Sequence, residues 1–190
     1  MLNDVVVYDA CVLYPAPLRD LLMHLALIDL YHAKWTSEIH EEWIRNLLLR
    51  RQDLSREFLE KTRDRMNEHV RDCLVVNYES LLPSLPELPD PGDAHVLAAA
   101  IHANASVILT YNLKDFPKSI LSVYGIEAQS PDYFLSNLFD FSPELVFMAI
   151  QRHRASLKNP PKSAEEYLLT LEIYSLNEFI VKLRECSNRF

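Results

Sequence analysis

Val5-Val6-Val7-Tyr8-Asp9 is the stretch on which the fold turns. A short β-branched run almost free of polar groups suits a strand buried on both faces of a parallel sheet, and this one stops at an acid. Two further runs of the same kind follow, Leu74-Val75-Val76 and Val107-Ile108-Leu109, the last closed by Thr110. Between them the spacing changes to that of helices. After Pro15 and Pro17, the residues Leu18, Leu21, Leu22, Leu25 and Ile28 predict an amphipathic helix to about Tyr31. Thr36-Ser37 can cap a second helix that runs past Leu49, and a third, highly charged and solvated, is expected from Asp53 to about Arg71. The prolines between Leu81 and Pro91 mark a rigid loop, after which a helix restarts at Asp93 with Val96, Leu97, Ala100 and Ile101 as its buried stripe. Strands alternating with helices predict an α/β fold, a parallel sheet with helices on both faces.

Beyond Tyr133 the pattern is helical only. Ser142-Pro143-Glu144 reads as a cap with proline in the first turn, Ser163-Ala164-Glu165-Glu166 as a capping box, and Lys158-Asn159-Pro160-Pro161-Lys162 as the turn between them. The chain thus divides into an α/β domain over 1–137 and an extension of two or three helices over 138–190.

Composition narrows the function. With 190 residues, 49% of them hydrophobic, a single sizeable core is expected. Two glycines, Gly92 and Gly125, cannot build the Gly-rich turns that wrap nucleotide phosphates, which argues against nucleotide-dependent kinases, ATPases and dinucleotide dehydrogenases. Nineteen basic against 27 acidic side chains give a formal charge of −8, so a nucleic-acid partner requires a local basic patch or metal ions. Cys11, Cys73 and Cys186 have neither zinc nor disulfide spacing and suit a reducing cytoplasm. Asp4 and Asp9 interrupt any signal core, and Asp140, Pro143 and Glu144 break the apolar stretch from Phe134 to Ile150, so neither export nor a membrane span is expected.

Function in a parallel sheet gathers at the carboxyl ends of the strands, and acids stand there. Asp9 ends the first strand. Asp93 opens a helix on the same stripe as Val96 and Leu97, which turns its carboxylate toward the sheet, and Asp115 follows the third strand after a short turn. Glu41 and Glu42 both flank the apolar stripe of the second helix, and periodicity leaves the choice between them open. Each aspartate alone reads equally as a helix cap or turn residue. Together in a cleft they would repel one another unless a hard cation such as Mg²⁺ or Mn²⁺ sits among them.

The segments V-V-V-Y-D-A-C-V-L-Y-P, T-S-E-I-H-E-E-W-I-R-N-L, D-P-G-D-A-H-V-L-A-A-A and T-Y-N-L-K-D-F, in this order over about residues 1–135, resemble the PIN domain family of metal-dependent ribonucleases, and most of all its toxin-type members of the VapC class. The resemblance implies a three-layer α/β/α domain and endonucleolytic cleavage of RNA by water, with one or two Mg²⁺ or Mn²⁺ ions. It makes Asp9, Glu42, Asp93 and Asp115 both the catalytic acids and the metal ligands. Glu42 is preferred to Glu41 by its place six residues after Thr36 and one before Trp43. Thr110 and Asn112 match polar residues lining the site. Cys11 stands where many relatives carry asparagine, which puts the side-chain hydrogen bond there in question but removes no ligand. The resemblance further implies a small antitoxin, encoded beside the chain, as partner; a second copy of the chain is another candidate partner.

The remaining groups are weaker signals. His95 and His102 lie two turns apart on one helix and are expected on its surface. Arg45, Arg50, Arg51, Arg56, Lys61, Arg63, Arg65 and Arg71 could track a phosphate backbone or pair with Asp53, Glu57, Glu60, Asp64 and Glu68. Trp43 reads as a core anchor. The apolar segments Leu145-Val146-Phe147-Met148 and Tyr167-Leu168-Leu169 suggest hydrophobic surface left over for the antitoxin, beside grooves along the first two helices. Three other functions compete with the toxin reading. A phosphoacceptor signalling domain would need an aspartate ending the second strand, a catalytically silent scaffold would not bind Mn²⁺, and a housekeeping RNA-processing nuclease would be harmless when overproduced.

Overall fold

The computed structural model describes residues 4–186. At its centre β1 (Val5–Tyr8) and β3 (Val107–Leu109) lie side by side, flanked by β2 (His32–Lys34) next to β1 and β4 (Glu127–Gln129) next to β3. All pairings are parallel, with Val5 opposite His32, Val6 opposite Val107, and Val107 opposite Glu127. The chain winds from β1 to one side and returns to the other for β3, so its direction reverses between the two central strands. There the strand ends open a crevice at the carboxyl edge. Both strands continue into it: Asp9 N donates to Leu109 O at 3.1 Å, and Thr110 N to Gln129 O at 3.0 Å.

Helices complete an α/β/α domain. α1 (Ala10–Leu13), α2 (Ala16–Ala26) and α3 (Ser37–Arg50) follow the first two strands, with Thr36 capping α3 by accepting a 3.0 Å bond from Ile39 N. Trp43 is fully buried, as expected of an anchor. α4 (Arg56–His69), capped by Ser55, shows the solvated face foreseen for it and turns mainly Leu59 and Met66 inward. α5 (Ala94–His102) lies against β1 and β3, and its Ala98, Ala99 and Ala100 are buried on successive sides of the helix. α6 (Lys118–Leu121) leads to β4. Among the described residues, no helix is long and apolar enough to cross a membrane.

The sheet departs from expectation at its edges. The helix foreseen to Tyr31 stops at Ala26, because Asp29 adopts a left-handed backbone (φ 53°) and the chain turns directly into β2. Leu74-Val75-Val76 is not a full strand: Leu74 makes only an isolated parallel bridge to Trp35, with Val76 exposed. Pro83, foreseen in an irregular loop, lies inside a 3₁₀ turn spanning Glu79–Ser84.

The helical extension is built from α7 (Pro131–Phe141), α8 (Pro143–Ser156), α9 (Ala164–Glu172) and α10 (Asn177–Glu185). The capping box at Ser163 and Glu166 is formed in both directions, and Lys158 bridges to Pro161 in the foreseen turn. Asp132 in α7 caps α10, accepting from Glu178 N at 3.0 Å and Phe179 N at 2.9 Å. Phe139 meets Phe147 and Phe179 edge-on, with ring centroids 5.3 and 6.4 Å apart. α8 docks on α2, where His24 stacks on His153 at 5.2 Å and His153 Nδ1 shares a 2.9 Å hydrogen bond with the Tyr167 hydroxyl. This corrects the expectation of surplus apolar surface. Val146, Phe147, Tyr167 and Leu168 are all buried within the chain, and of those two segments only Leu169 is largely exposed.

Candidate active site

Asp9 and Asp93 occupy N-cap positions, at α1 and α5, yet neither carboxylate accepts a capping bond from the backbone N–H groups of its own helix. The capping role that would explain them without function is therefore unfilled. Asp9 is 2% exposed, and its Oδ2 accepts from Thr110 Oγ1 at 2.6 Å and from Cys11 Sγ at 3.0 Å. Thr110 is itself held, accepting from Asn112 N at 2.9 Å. Cys11 also accepts from Tyr111 N at 3.2 Å. A thiol thus makes side-chain hydrogen bonds at the position where they were in question. Burial, reinforced by the charge of Asp9, pushes the Cys11 thiol well up, which keeps it protonated as the donor.

Asp93 Oδ2 is buried without a hydrogen-bond partner. Burial and then the negative charges of Asp9, Asp90, Asp115 and Glu42 push its carboxyl up from 3.8 to about 7. Asp93 is therefore within electrostatic reach of the other three sequence-predicted acids. The two glutamates separate clearly. Glu41 turns away into a bidentate pair with Arg56, at 2.7 and 2.9 Å, while Glu42 faces His95 Nε2 at 3.6 Å. Asn112 is exposed on the turn after β3, and Asp115 closes the 3₁₀ turn Leu113–Asp115 behind it.

His95 corrects an expectation. It is 8% exposed rather than on the helix surface, lying 3.9 Å from Glu38 and beside Glu42, whereas His102 is exposed as foreseen. Burial alone would lower its pKa, but the Glu42 contact and the charges of Glu38, Glu42 and Asp9 outweigh it and raise the value. His95 follows Asp93 by two residues on the first turn of α5, and only the packing of α5 against α3 reveals what it faces. The basic run is largely neutralised by neighbours: Arg51 pairs with Asp53, Arg56 with Glu41 and Glu60, Lys61 with Glu57, and Arg63 with Asp64.

A hard divalent cation suits this donor set, because the negative charges of Asp9, Glu42 and Asp115 all bear on Asp93 and one of its buried oxygens lacks any partner. Among the described residues, no three His, Cys, Asp or Glu side chains are already closed around a common point, and Asp9 Oδ2 is turned to Thr110 and Cys11. A further tie reaches the site from the extension, where the Tyr111 hydroxyl donates to Tyr174 O at 2.8 Å.

Comparison with known proteins places this geometry. The VapC50 C-terminal domain family matches residues 131–185, the segment holding α7 to α10. A protein described as "Putative ribonuclease VapC50", from Mycobacterium tuberculosis (strain ATCC 25618 / H37Rv), is 50% identical over 52 residues, which is 27% of this chain and 31% of that protein. The match thus spans less than a third of that relative's length. No solved structure matched. The PIN domain family matches residues 5–114, which contain β1 to β3 together with Asp9, Glu42, Asp93, Thr110 and Asn112. The chain belongs to the PIN domain family.

Proposed function

We propose that this chain is a metal-dependent endoribonuclease, with Asp9, Glu42, Asp93 and Asp115 holding Mg²⁺ or Mn²⁺, and that it is the toxin of a two-component toxin–antitoxin pair in the cytoplasm. The observation that carries the reading is the buried, unpartnered Asp93 Oδ2 amid three other acids at the sheet's switch point. When bound, the ion would activate water for attack on a phosphodiester and offset the charge that builds up on phosphate. The chain's own part is positional. Thr110 and Cys11 fix Asp9 by two donated bonds, and the turn from Thr110 to Asp115 carries Asn112 to the rim where a strand of RNA would lie. His95 faces Glu42, whose contact favours the protonated imidazole.

The division of the chain into a nuclease domain and a helical extension belongs to the same proposal, although the boundary drawn at 137/138 from the sequence falls inside α7; residues 1–3 and 187–190 lie outside the described residues. The likeness to VapC-type proteins supports an antitoxin partner. Because the extension turns its apolar stripes inward, the partner's apolar segment is placed instead in the hollow between α2 and α4, where Leu27 and Phe58 are about half exposed. From there a basic side chain could reach toward the acids. Overproduction of the lone chain should be toxic, with RNA cleavage in vitro that requires Mn²⁺ or Mg²⁺. Co-expression with the neighbouring open reading frame should suppress toxicity and give a co-purifying complex. Harmless overproduction with metal-dependent RNA cleavage intact would move the chain to housekeeping RNA processing, and a failure to bind Mn²⁺ would make it a silent scaffold.

A further inference from the structure

Glu42 stands on a ridge between two hollows of opposite character. On one side Glu38, Glu41, Asp90 and Asp93, with Arg45 and His95 among them, line a predominantly acidic space of about 500 Å³. On the other, between α1 and α3, a hollow of about 430 Å³ is lined by Tyr14, Asn46, Leu49, Arg50 and Asn112. This falls within the range of roughly 300–1,000 Å³ that holds small organic ligands.

We propose that the hollow between α1 and α3 is a nucleoside subsite, which seats one unpaired base of an RNA strand beside the acid cluster and leads the strand away over Arg50. The inference rests on the ribonuclease reading and adds to it the place where one base is held and the direction in which the strand lies. Asn46 and Asn112 each bring an amide that donates and accepts, the complement of a base edge. Among the described residues, neither amide side chain nor the Tyr14 hydroxyl is engaged in an intramolecular hydrogen bond. Tyr14 supplies an aromatic face, and Leu49, 75% exposed, an apolar wall on the opposite helix. Stacking on such a face needs a base free of its duplex partner. Arg50 forms no ion pair among the described residues, unlike Arg51, Arg56 and Arg63, and its planar guanidinium suits a phosphate.

The test is binding of fluorescently labelled single-stranded RNA hexamers of each base, measured by anisotropy in EDTA, followed by cleavage kinetics in Mn²⁺. Wild-type protein should prefer one base. Tyr14→Ala should weaken that binding about ten-fold, the scale of one lost stacking platform, and Asn46→Ala should flatten the preference among bases. Tyr14→Phe should retain affinity, and Arg50→Gln, an exposed change that leaves the core alone, should reduce the salt dependence by about one phosphate contact. In all four variants the Mn²⁺-induced shift in melting temperature should stay as in wild type. If all four bind and cleave every hexamer as wild type does, the subsite is wrong while the ribonuclease reading stands. If wild-type protein cleaves no RNA in Mn²⁺, that reading falls first and the subsite with it.

Discussion

Asp93, half-buried, and His153, fully buried, both lie against groups that disfavour their charged forms, but one opens on a cleft and the other is sealed in a seam. At the carboxyl edge of the sheet, Asp93 is pushed up to about 7 by burial and four neighbouring acids, with an oxygen left unpartnered. Where α8 meets α2, His153 is pushed down to about 4 by burial, with His24 and Lys162 adding positive charge nearby. His24 is lowered too, by burial and Arg152, against the pull of Asp20. In the seam the neutral His153 ring stacks on His24 and shares Nδ1 with the Tyr167 hydroxyl, while its Nε2 is buried without a partner among the described residues, so neutrality rather than full hydrogen bonding keeps it there. The cleft is left wanting a positive charge. Stored electrostatic cost that a ligand can relieve marks a site; the same cost already relieved by neutrality marks structure.

The sharpest way to break this contrast is to remove the cleft's charge. Asp93→Asn should abolish RNA cleavage, by at least about 10²-fold given the several kcal/mol of charge stabilisation a divalent ion supplies. The metal-free protein should nonetheless melt higher. A gain of about 1 kcal/mol, discounted for partial exposure, would raise the midpoint by roughly 2–4 °C. Wild type should gain stability from Mn²⁺, and the variant much less. A lower melting point for metal-free Asp93→Asn would mean the acid is structural after all.

Next in size is the pair of adjacent glutamates. Glu42→Gln should cut turnover roughly ten-fold or more and weaken Mn²⁺ binding. Glu41→Gln should leave both near wild type, because its exposed pair with Arg56 contributes at most about 1 kcal/mol. Equal losses in the two variants would show the wrong glutamate facing the site.

Smaller again is the pH response, in which the two regions have opposite signs. In the unfolded chain His153 and His24 titrate near 6.5, above their folded values, so lowering the pH from about 6.5 toward 4 protonates the unfolded chain first and stability falls. The folded value of Asp93 lies above its unfolded 3.8, so metal-free stability falls as pH rises from about 4 through 7. Urea melts across pH 4–8 should therefore show His153→Gln flattening the acid limb alone and Asp93→Asn flattening the rise toward 7 alone. A variant that changed both limbs would merge the two regions into one coupled network.

The sequence disclosed the central strands and hid the edges for one physical reason. β1 and β3 are sealed by neighbours on every side and so are written as unbroken apolar runs. At the edges, His32-Ala33-Lys34 and Glu127-Ala128-Gln129 carry polar residues and three-residue lengths that leave no period to read. Asp9 and Asp93 could be singled out as candidates because each borders an apolar element, whereas periodicity left Glu42 inside α3 undivided from Glu41. His95 could not be singled out, since its partners Glu38 and Glu42 come from a helix more than fifty residues earlier. The inward turn of the extension was hidden likewise, because an apolar stripe looks the same whether its cover is the chain itself or a partner.

The bond from the Tyr111 hydroxyl to Tyr174 O spans 63 residues of sequence. On the ribosome, every acid of the cleft emerges well before Tyr174 does, so the turn bearing Thr110 and Asn112 is made long before its anchor. The strands and their carboxylates come first, and the far wall of the cleft is tied down only when α9 has been synthesised and folded back. The order of synthesis therefore leaves an interval in which a nascent chain displays its acids without the finished rim.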